Sequence, residues 1–586
     1  MKIKRLLIGM LACSAMVACT NDDVLDNPVD NPVNGADGKA YVSVKLVMTE
    51  TNTGRATTDL GFDVGTKAEQ TISTAADKSI FLFYDKDDKW VTSGQIVNGE
   101  VSTPNTDYSD HEGSINDLSG QVYVVLNGPD QSLKKVTQVL TVVNYNGADK
   151  LKNLNKDQAL DIITDTKANP ANSGFLMSTS VYYNDGAVRV TAINPETQIC
   201  QTQEDAKLNP VKIYIERASA KFQIDWKDSY SVVADGESTD NEKNEGTAET
   251  EDDVVVDGKL QAATIKILGY TLNNYNESTN LVKDIASWND SDNAPFTGWN
   301  FANNFRSYWA KGTKYTYEGY KSTLNAEGEE IDITHPLTIH TFEDAKNKRV
   351  SDGENNVSYV YEHTVETPNV SEGRTEEIAY PNVTTVLIAA QFSVPDYEGS
   401  FYKYGGVFYT ENSYLNLISK QLGDAGYFVK GDADDQYVNI PSSSFTIEAI
   451  ETELAKVKVK VNEGTYYKIT SAEGSTTTEA ADITDMQELV DGLSYVKEIE
   501  AYNDGKCYYQ IPIEHLPSAA DGFCKYGVVR NHWYQMYINA VKHIGEAVYN
   551  EKIEIPQIPQ KDTEHYLAAE LHVLSWHVVK QDVTLE

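Results

Sequence analysis

An apolar side chain at every second position is the feature that most constrains this chain. In Tyr41-Val42-Ser43-Val44-Lys45-Leu46-Val47-Met48 the even positions are all apolar and the odd ones mostly not, as a strand with one buried face requires. Further strand patterns lie at 80–84, 121–126, 187–191, 211–215, 220–226, 262–272, 384–392, 406–409, 454–461, 508–513, 533–541 and 569–579. The 36 tyrosines reinforce the reading, because aromatic and β-branched side chains suit a pleated, half-buried surface. Apolar spacing near 3.6 predicts helices only at 155–164, 413–422 and 484–502, with Asn155 and Thr484 as candidate caps. Many strands without an alternating strand and helix rhythm predict a mainly β chain of antiparallel β-sandwiches with a few inserted helices. A length of 586 residues exceeds one core, so two domains are expected, divided near residue 216.

The start of the chain belongs to export rather than to the fold. Lys2, Lys4 and Arg5 precede an uncharged run over 6–18, too short to span a bilayer and typical of a secretory signal. Met16-Val17-Ala18-Cys19 has the order of a lipobox, which makes Cys19 the acylated new N-terminus. Residues 20–38 are too polar to bury a core and read as a tether. Losing the three signal cations takes the formal charge from −39 to −42, which opposes binding to nucleic acid or anionic membranes. Ten acids against Lys243 over 235–257 read as a solvated surface insertion. Of the cysteines beyond Cys19, Cys507 and Cys524 are open to pairing or to being buried free thiols, and Cys200 is left over.

Patterns that carry catalysis are missing: there is no G-x-S-x-G, no phosphate loop, no H-E-x-x-H and no C-x-x-C pair. His543 and Glu546 lack a third ligand, and Asp85–Asp88 and Asp432–Asp435 lack the spaced oxygens of a calcium loop. The expectation is therefore no enzyme, no cofactor and no metal. Aromatic residues crowd 288–320, from Trp288 to Tyr320. Packing is the ordinary use of such rings, and a carbohydrate-binding surface lipoprotein is the alternative.

The two ends carry the positive argument. After the strand of Val42, Val44, Leu46 and Met48 comes a polar stretch and then Arg55-Ala56, open to an arginine-directed protease. Cutting there would release the strand with its lipid and expose unpaired backbone beside an apolar groove. At the other end, 568–579 reads as a long strand behind the connector Ile555-Pro556-Gln557-Ile558-Pro559. Leu571 and Val573 fall on one face, and Leu574, Trp576 and Val578 on the other, a phase shift that a bulge or a strand contacting two sheets would explain. An extended terminus can fill a groove on another copy by β-augmentation, and head-to-tail contacts of that kind make filaments.

The lipobox, the strand ending at Arg55-Ala56, Ile215-Glu216-Arg217-Ala218-Ser219-Ala220-Lys221, Val528-Val529-Arg530-Asn531-His532-Trp533-Tyr534 and the terminal Leu574-Ser575-Trp576-His577-Val578 resemble the shaft subunit of the short (minor) fimbriae of Bacteroidales, a type V pilus fimbrillin. The resemblance implies transthyretin-like sandwiches and passage through the periplasm to the outer membrane as a lipoprotein. It also implies cleavage by an arginine-specific protease and replacement of the lost strand by a neighbour's C-terminal strand. The partners would be other copies of the chain in a filament, anchor and tip subunits, and a host or bacterial surface ligand. The implied segments are the signal 1–18, tether 19–39, removed strand 40–55, N-terminal domain 56–215, C-terminal domain 216–564 and donor strand 565–586. A tip or accessory adhesin of the same pilus is the nearest alternative.

Overall fold

The computed structural model describes residues 39–47, 69, 71–73, 75, 77–100, 120–165, 168, 174–184, 187–227, 229–232, 253–285, 310–313, 338–347, 357–364, 383–395, 397–433, 436–472, 475–515, 526–555, 567–570 and 577–585. The fold is mainly β. In the first part, the strands that matter are β1 (Lys39–Val47), β2 (Ile80–Tyr84), β3 (Trp90–Glu100), β4 (Gly120–Asn127), β5 (Gln138–Val143), β6 (Met177–Thr179) and β7 (Val211–Arg217). They are hydrogen-bonded in the order β5-β2-β3-β4-β1-β7-β6, and β6 also pairs with β5, so these seven strands close a ring. Its interior holds Phe81, Phe83, Val122, Val124, Leu126, Val139, Ile213 and Ile215. Gly94 in β3 allows close approach, since a Cβ there would meet Val124 Cγ1 at 2.2 Å.

The second part follows after one residue, with β8 (Ser219–Asp225), β9 (Thr264–Asn273), β10 (Val357–Tyr361), β11 (Thr385–Ser393), β12 (Lys506–Pro512), β13 (His532–Val541), β14 (Leu567–Glu570) and β15 (His577–Leu585). One sheet runs β10-β8-β13-β15-β14, and another contains β9-β11-β12. Their side chains share a core that includes Phe222 and Ile224 from β8, Ile265 from β9, Ile388 from β11, Ile511 from β12 and Met536 from β13.

Between the adjacent antiparallel partners β11 and β12 the chain makes an excursion with its own core. There Tyr414, Leu415, Ile418 and Leu422 on the helix Glu411–Asp424 pack against Val457, Val459, Met486 and Val490.

Several expectations need correction. Pairing is not purely antiparallel: β1–β7, β8–β13 and β13–β15 are parallel. Each pair joins strands far apart in sequence or linked by a long crossover, which frees their relative direction from hairpin geometry. The helix expected over 484–502 ends at Gly492 and resumes over Ser494–Lys497, and Glu500–Tyr502 is a strand. Its cap is Asp482, whose carboxylate accepts the Thr484 N–H at 2.7 Å. Asn155 does close a capping box with Gln158, ahead of a helix that covers only Lys156–Leu160. The acidic stretch 235–257 is not all surface insertion, because Asp253–Val256 forms a strand and Val256 is buried. Three successive valines there outweigh the neighbouring charge. The single strand expected at 568–579 is instead the start of a hairpin, with Leu567 opposite Leu585 and Glu570 opposite Asp582.

Candidate assembly site

β1 lies inside the ring, and alternation decides which of its side chains face the core. Ala40, Val42 and Val44 are fully buried and Leu46 is 2 % exposed. Tyr41 and Lys45, on the other face, are half-buried. The strand runs antiparallel to β4 from Lys39↔Asn127 to Leu46↔Gly120, and parallel to β7 from Val44↔Val211 to Val47↔Tyr214. Where β7 has not yet begun, Cys200 covers the edge: Tyr41 N–H donates to Cys200 O at 2.8 Å, and Cys200 N–H returns a bond to Tyr41 O at 2.9 Å. At about 1.5–3 kcal/mol for each buried Val or Leu side chain, β1 contributes a gross burial on the order of 8 kcal/mol. Its removal would leave β4 and β7 as facing free edges above Phe81, Phe83, Val124 and Ile213.

Chain downstream of β1 is held by different contacts. Glu69 is 1 % exposed. Its backbone oxygen accepts the Arg217 Nε–H at 2.9 Å, its carboxylate lies 3.1 Å from Lys221 Nζ, and Tyr359 Oη donates to that carboxylate as well. A little further on, Asn144 donates to Thr71 O and accepts from Ser73 N–H, both at 2.7 Å. None of these partners is in β1.

The sequence islands 215–221 and 528–534 meet where β7 ends and β8 begins. β8 and β13 pair in parallel with Lys221 opposite Trp533, whose ring lies 4.1 Å from the Lys221 ammonium. Asn531 N–H donates to Ser219 O at 2.9 Å, and Arg217 Nη1 donates to Asn531 Oδ1 at 3.2 Å. Nearby, Arg530 Nε stands 3.2 Å from Glu362 Oε1, with both side chains buried. Burial pushes the Glu362 carboxyl up, and Arg530 and Lys283 pull it back. Burial also lowers the His532 imidazole to about 3, so it is neutral. His515, beside Tyr534 Oη at 2.9 Å, completes the polar cluster.

Of the residues singled out from sequence, Val42, Val44 and Leu46 are brought together in the ring. Val578 lies in β15, opposite Trp533 of β13. Cys19, Met48, Arg55, Ala56, Leu571, Val573, Leu574 and Trp576 lie outside the described residues, as do Cys524 and the aromatic positions of 288–320. Burial pushes the Cys507 thiol up to about 12, the environment of an inert thiol. The acids at 85–88 form a turn in which Asp85 Oδ1 accepts the Asp87 and Lys89 N–H groups, while Asp88 pairs with Lys156 at 2.8 Å. Among the described residues no group of three or more His, Cys, Asp or Glu is arranged to hold a metal ion, and no helix is long and apolar enough to cross a membrane. Sequence reasoning missed Glu69, Lys283 and Glu362, because a charged residue reads as exposed even beside apolar neighbours such as Leu281, Val282 and Tyr361. Only the fold brings them to the junction.

No curated protein matches the chain. Among solved structures, a protein described as a cell adhesion protein from Bacteroides eggerthii is 10 % identical, with 94 % of this chain and 99 % of that one covered at a TM-score of 0.33. A fimbrial assembly protein from Parabacteroides distasonis is 11 % identical, with 76 % and 97 % covered at a TM-score of 0.23. Residues 500–582, from the end of the excursion through β12 and β13 and into β15, match the family described as major fimbrial subunit protein type IV, fimbrillin, C-terminal. That segment is similar to the C-terminal part of a fimbrillin.

Proposed function

We propose that the chain is a structural subunit of a cell-surface fimbria, made as a lipoprotein on Cys19 and delivered to the outer membrane. An arginine-specific protease cuts between Arg55 and Ala56, β1 leaves with its lipid, and a neighbour's C-terminal segment, 565–586, enters the groove between β4 and β7. The single observation that carries this reading is the position of β1: a terminal strand that is internal to a closed ring, followed by chain pinned independently at Glu69. The fimbrillin match over 500–582 supports the filament context. In this reading the seven-strand ring is a flattened transthyretin-like sandwich, the second part begins near residue 216, and the subunit belongs to the shaft, binding other copies along the fibre and anchor and tip subunits at its ends.

Limited trypsin treatment of purified precursor, followed on a sizing column, tests the mechanism. Protein cut at Arg55 is expected to form oligomers, and a variant ending at Glu564 is expected to stay monomeric. Cut protein that remains monomeric, or a truncated form that assembles equally well, overturns strand exchange. Assembly that proceeds only onto a pre-formed fibre end points instead to a tip or accessory subunit.

A further inference from the structure

Glu216 is the next-to-last residue of β7, the parallel neighbour of β1, and Lys283 lies in the second part, just after the strand Thr279–Asn280. Both side chains are 0 % exposed, and Lys283 Nζ stands 2.8 Å from Glu216 Oε2. Yet neither Glu216 oxygen nor the Lys283 nitrogen makes a hydrogen bond among the described residues. A buried ion pair is tolerated when good geometry and extra hydrogen bonds offset the desolvation of both ions. This pair has the proximity without the hydrogen bonds. Moving the proton from ammonium to carboxylate removes both charges and leaves an amine beside a carboxylic acid. A third buried acid, Glu362, is near enough to feel both charges, and Arg530 holds it at 3.2 Å. Ala218, Leu281, Val282 and Tyr361, sequence neighbours of these groups, belong to one buried apolar cluster, which excludes water.

We propose that Lys283 and Glu216 are joined by a side-chain amide, a covalent cross-link between the ring and the second part of the chain. The Lys283 amine attacks Glu216 Cδ, an N–C bond forms, and the C–O bond to the protonated hydroxyl breaks. Glu362 takes the proton released by nitrogen and returns it to the departing hydroxyl, so one water leaves. Nothing is oxidised and no co-reactant is needed. Groups fixed in contact react with effective concentrations that reach roughly 10⁵–10⁸ M in well-oriented cases, which offsets the preference of amides for hydrolysis in water. The cross-link would keep β7 fastened when β1 departs.

Trypsin digestion of the full, denatured chain followed by mass spectrometry tests this. The expected product is the peptide Ile213–Arg217 joined to the Lys283 peptide, one water lighter than the two together and uncut after Lys283. Lys283→Arg should release Ile213–Arg217 as a free peptide, and Glu362→Gln, folded as judged by its elution volume, should lose the cross-link too. Free Ile213–Arg217 and complete cleavage after Lys283 in the wild-type chain would overturn the proposal. A full yield of cross-link in Glu362→Gln would overturn the role of Glu362. These masses do not depend on assembly, so either result leaves the strand-exchange reading to its own test.

Discussion

The first and last described strands, β1 and β15, are both nine residues long and both run parallel to one neighbour, but they are held in different ways. β1 is paired on both sides within a ring that has no free end, and its four even-numbered side chains are buried. β15 is next to the margin of an open sheet, with only the four-residue β14 beyond it. Removing β1 converts a closed ring into a groove with two unpaired edges, whereas removing the terminal hairpin leaves β13 as an ordinary edge. β15 is still paired along its length with β13, from His532↔His577 to Val541↔Leu585, so the two strands differ in the closure of their sheets rather than in being paired.

The sharpest way to break this comparison is to put one charge into each strand. Val44→Asp buries an unpaired carboxylate in the ring and should cost more than about 4 kcal/mol, unfolding the N-terminal part of the precursor in thermal circular dichroism. Val578→Asp, in a strand with only the four-residue β14 beyond it, should lower the thermal transition less and should weaken assembly. Equal destabilisation by the two would erase the distinction. Glu69→Ala is expected to cost roughly 3–5 kcal/mol, because it removes the carboxylate 3.1 Å from the buried Lys221 ammonium. Urea unfolding should record the same loss before and after cleavage at Arg55, since the anchor does not involve β1; a loss confined to the uncut protein would mean that Glu69 depends on that strand.

Acid should act on the β13 side. His532 opens β13 opposite His577 of β15, and burial lowers its folded value to about 3, below the ordinary 6.5. Its folded state refuses a proton that the unfolded chain accepts, so its stabilising contribution is present above pH 6.5 and is lost as pH falls from there towards 3. The loss between pH 7 and pH 4 should be on the order of 3 kcal/mol. His532→Gln should flatten that part of the pH profile in chemical denaturation. The smallest effect is expected on the exposed strand Ser475–Ala480, where Thr477→Val should change stability by less than about 0.5 kcal/mol.

How far the sequence could be read depended on whether the signal was local. Ile80–Tyr84 matched its expected span because all five residues are buried, giving a short run rich in aromatic residues with polar punctuation on both sides. The strand Trp90–Glu100 was missed, since its polar Thr92, Ser93, Gly94 and Gln95 interrupt any apolar period. Apolar spacing continued past Gly492, which hid the break there, and the β-character of Glu500–Tyr502 comes from pairing with Phe401–Tyr404, about a hundred residues away. At the site, Val42, Val44 and Leu46 were legible as one face of a strand. Glu69, Glu216, Lys283 and Glu362 were not recognised as buried, because charged residues read as surface until a fold supplies their partners.

The sequence by itself determined the strand-rich character of the chain and the alternating face of β1, since each depends on periodicity within a few consecutive residues. Only the tertiary structure decided that β1 closes a ring, that Glu69 pins the chain behind it, that the terminal run turns back as a hairpin, and that Lys283 meets Glu216. Those outcomes depend on contacts between residues tens to hundreds of positions apart, set by strand order and register, and no local pattern encodes which distant partner a strand or a buried charge will find.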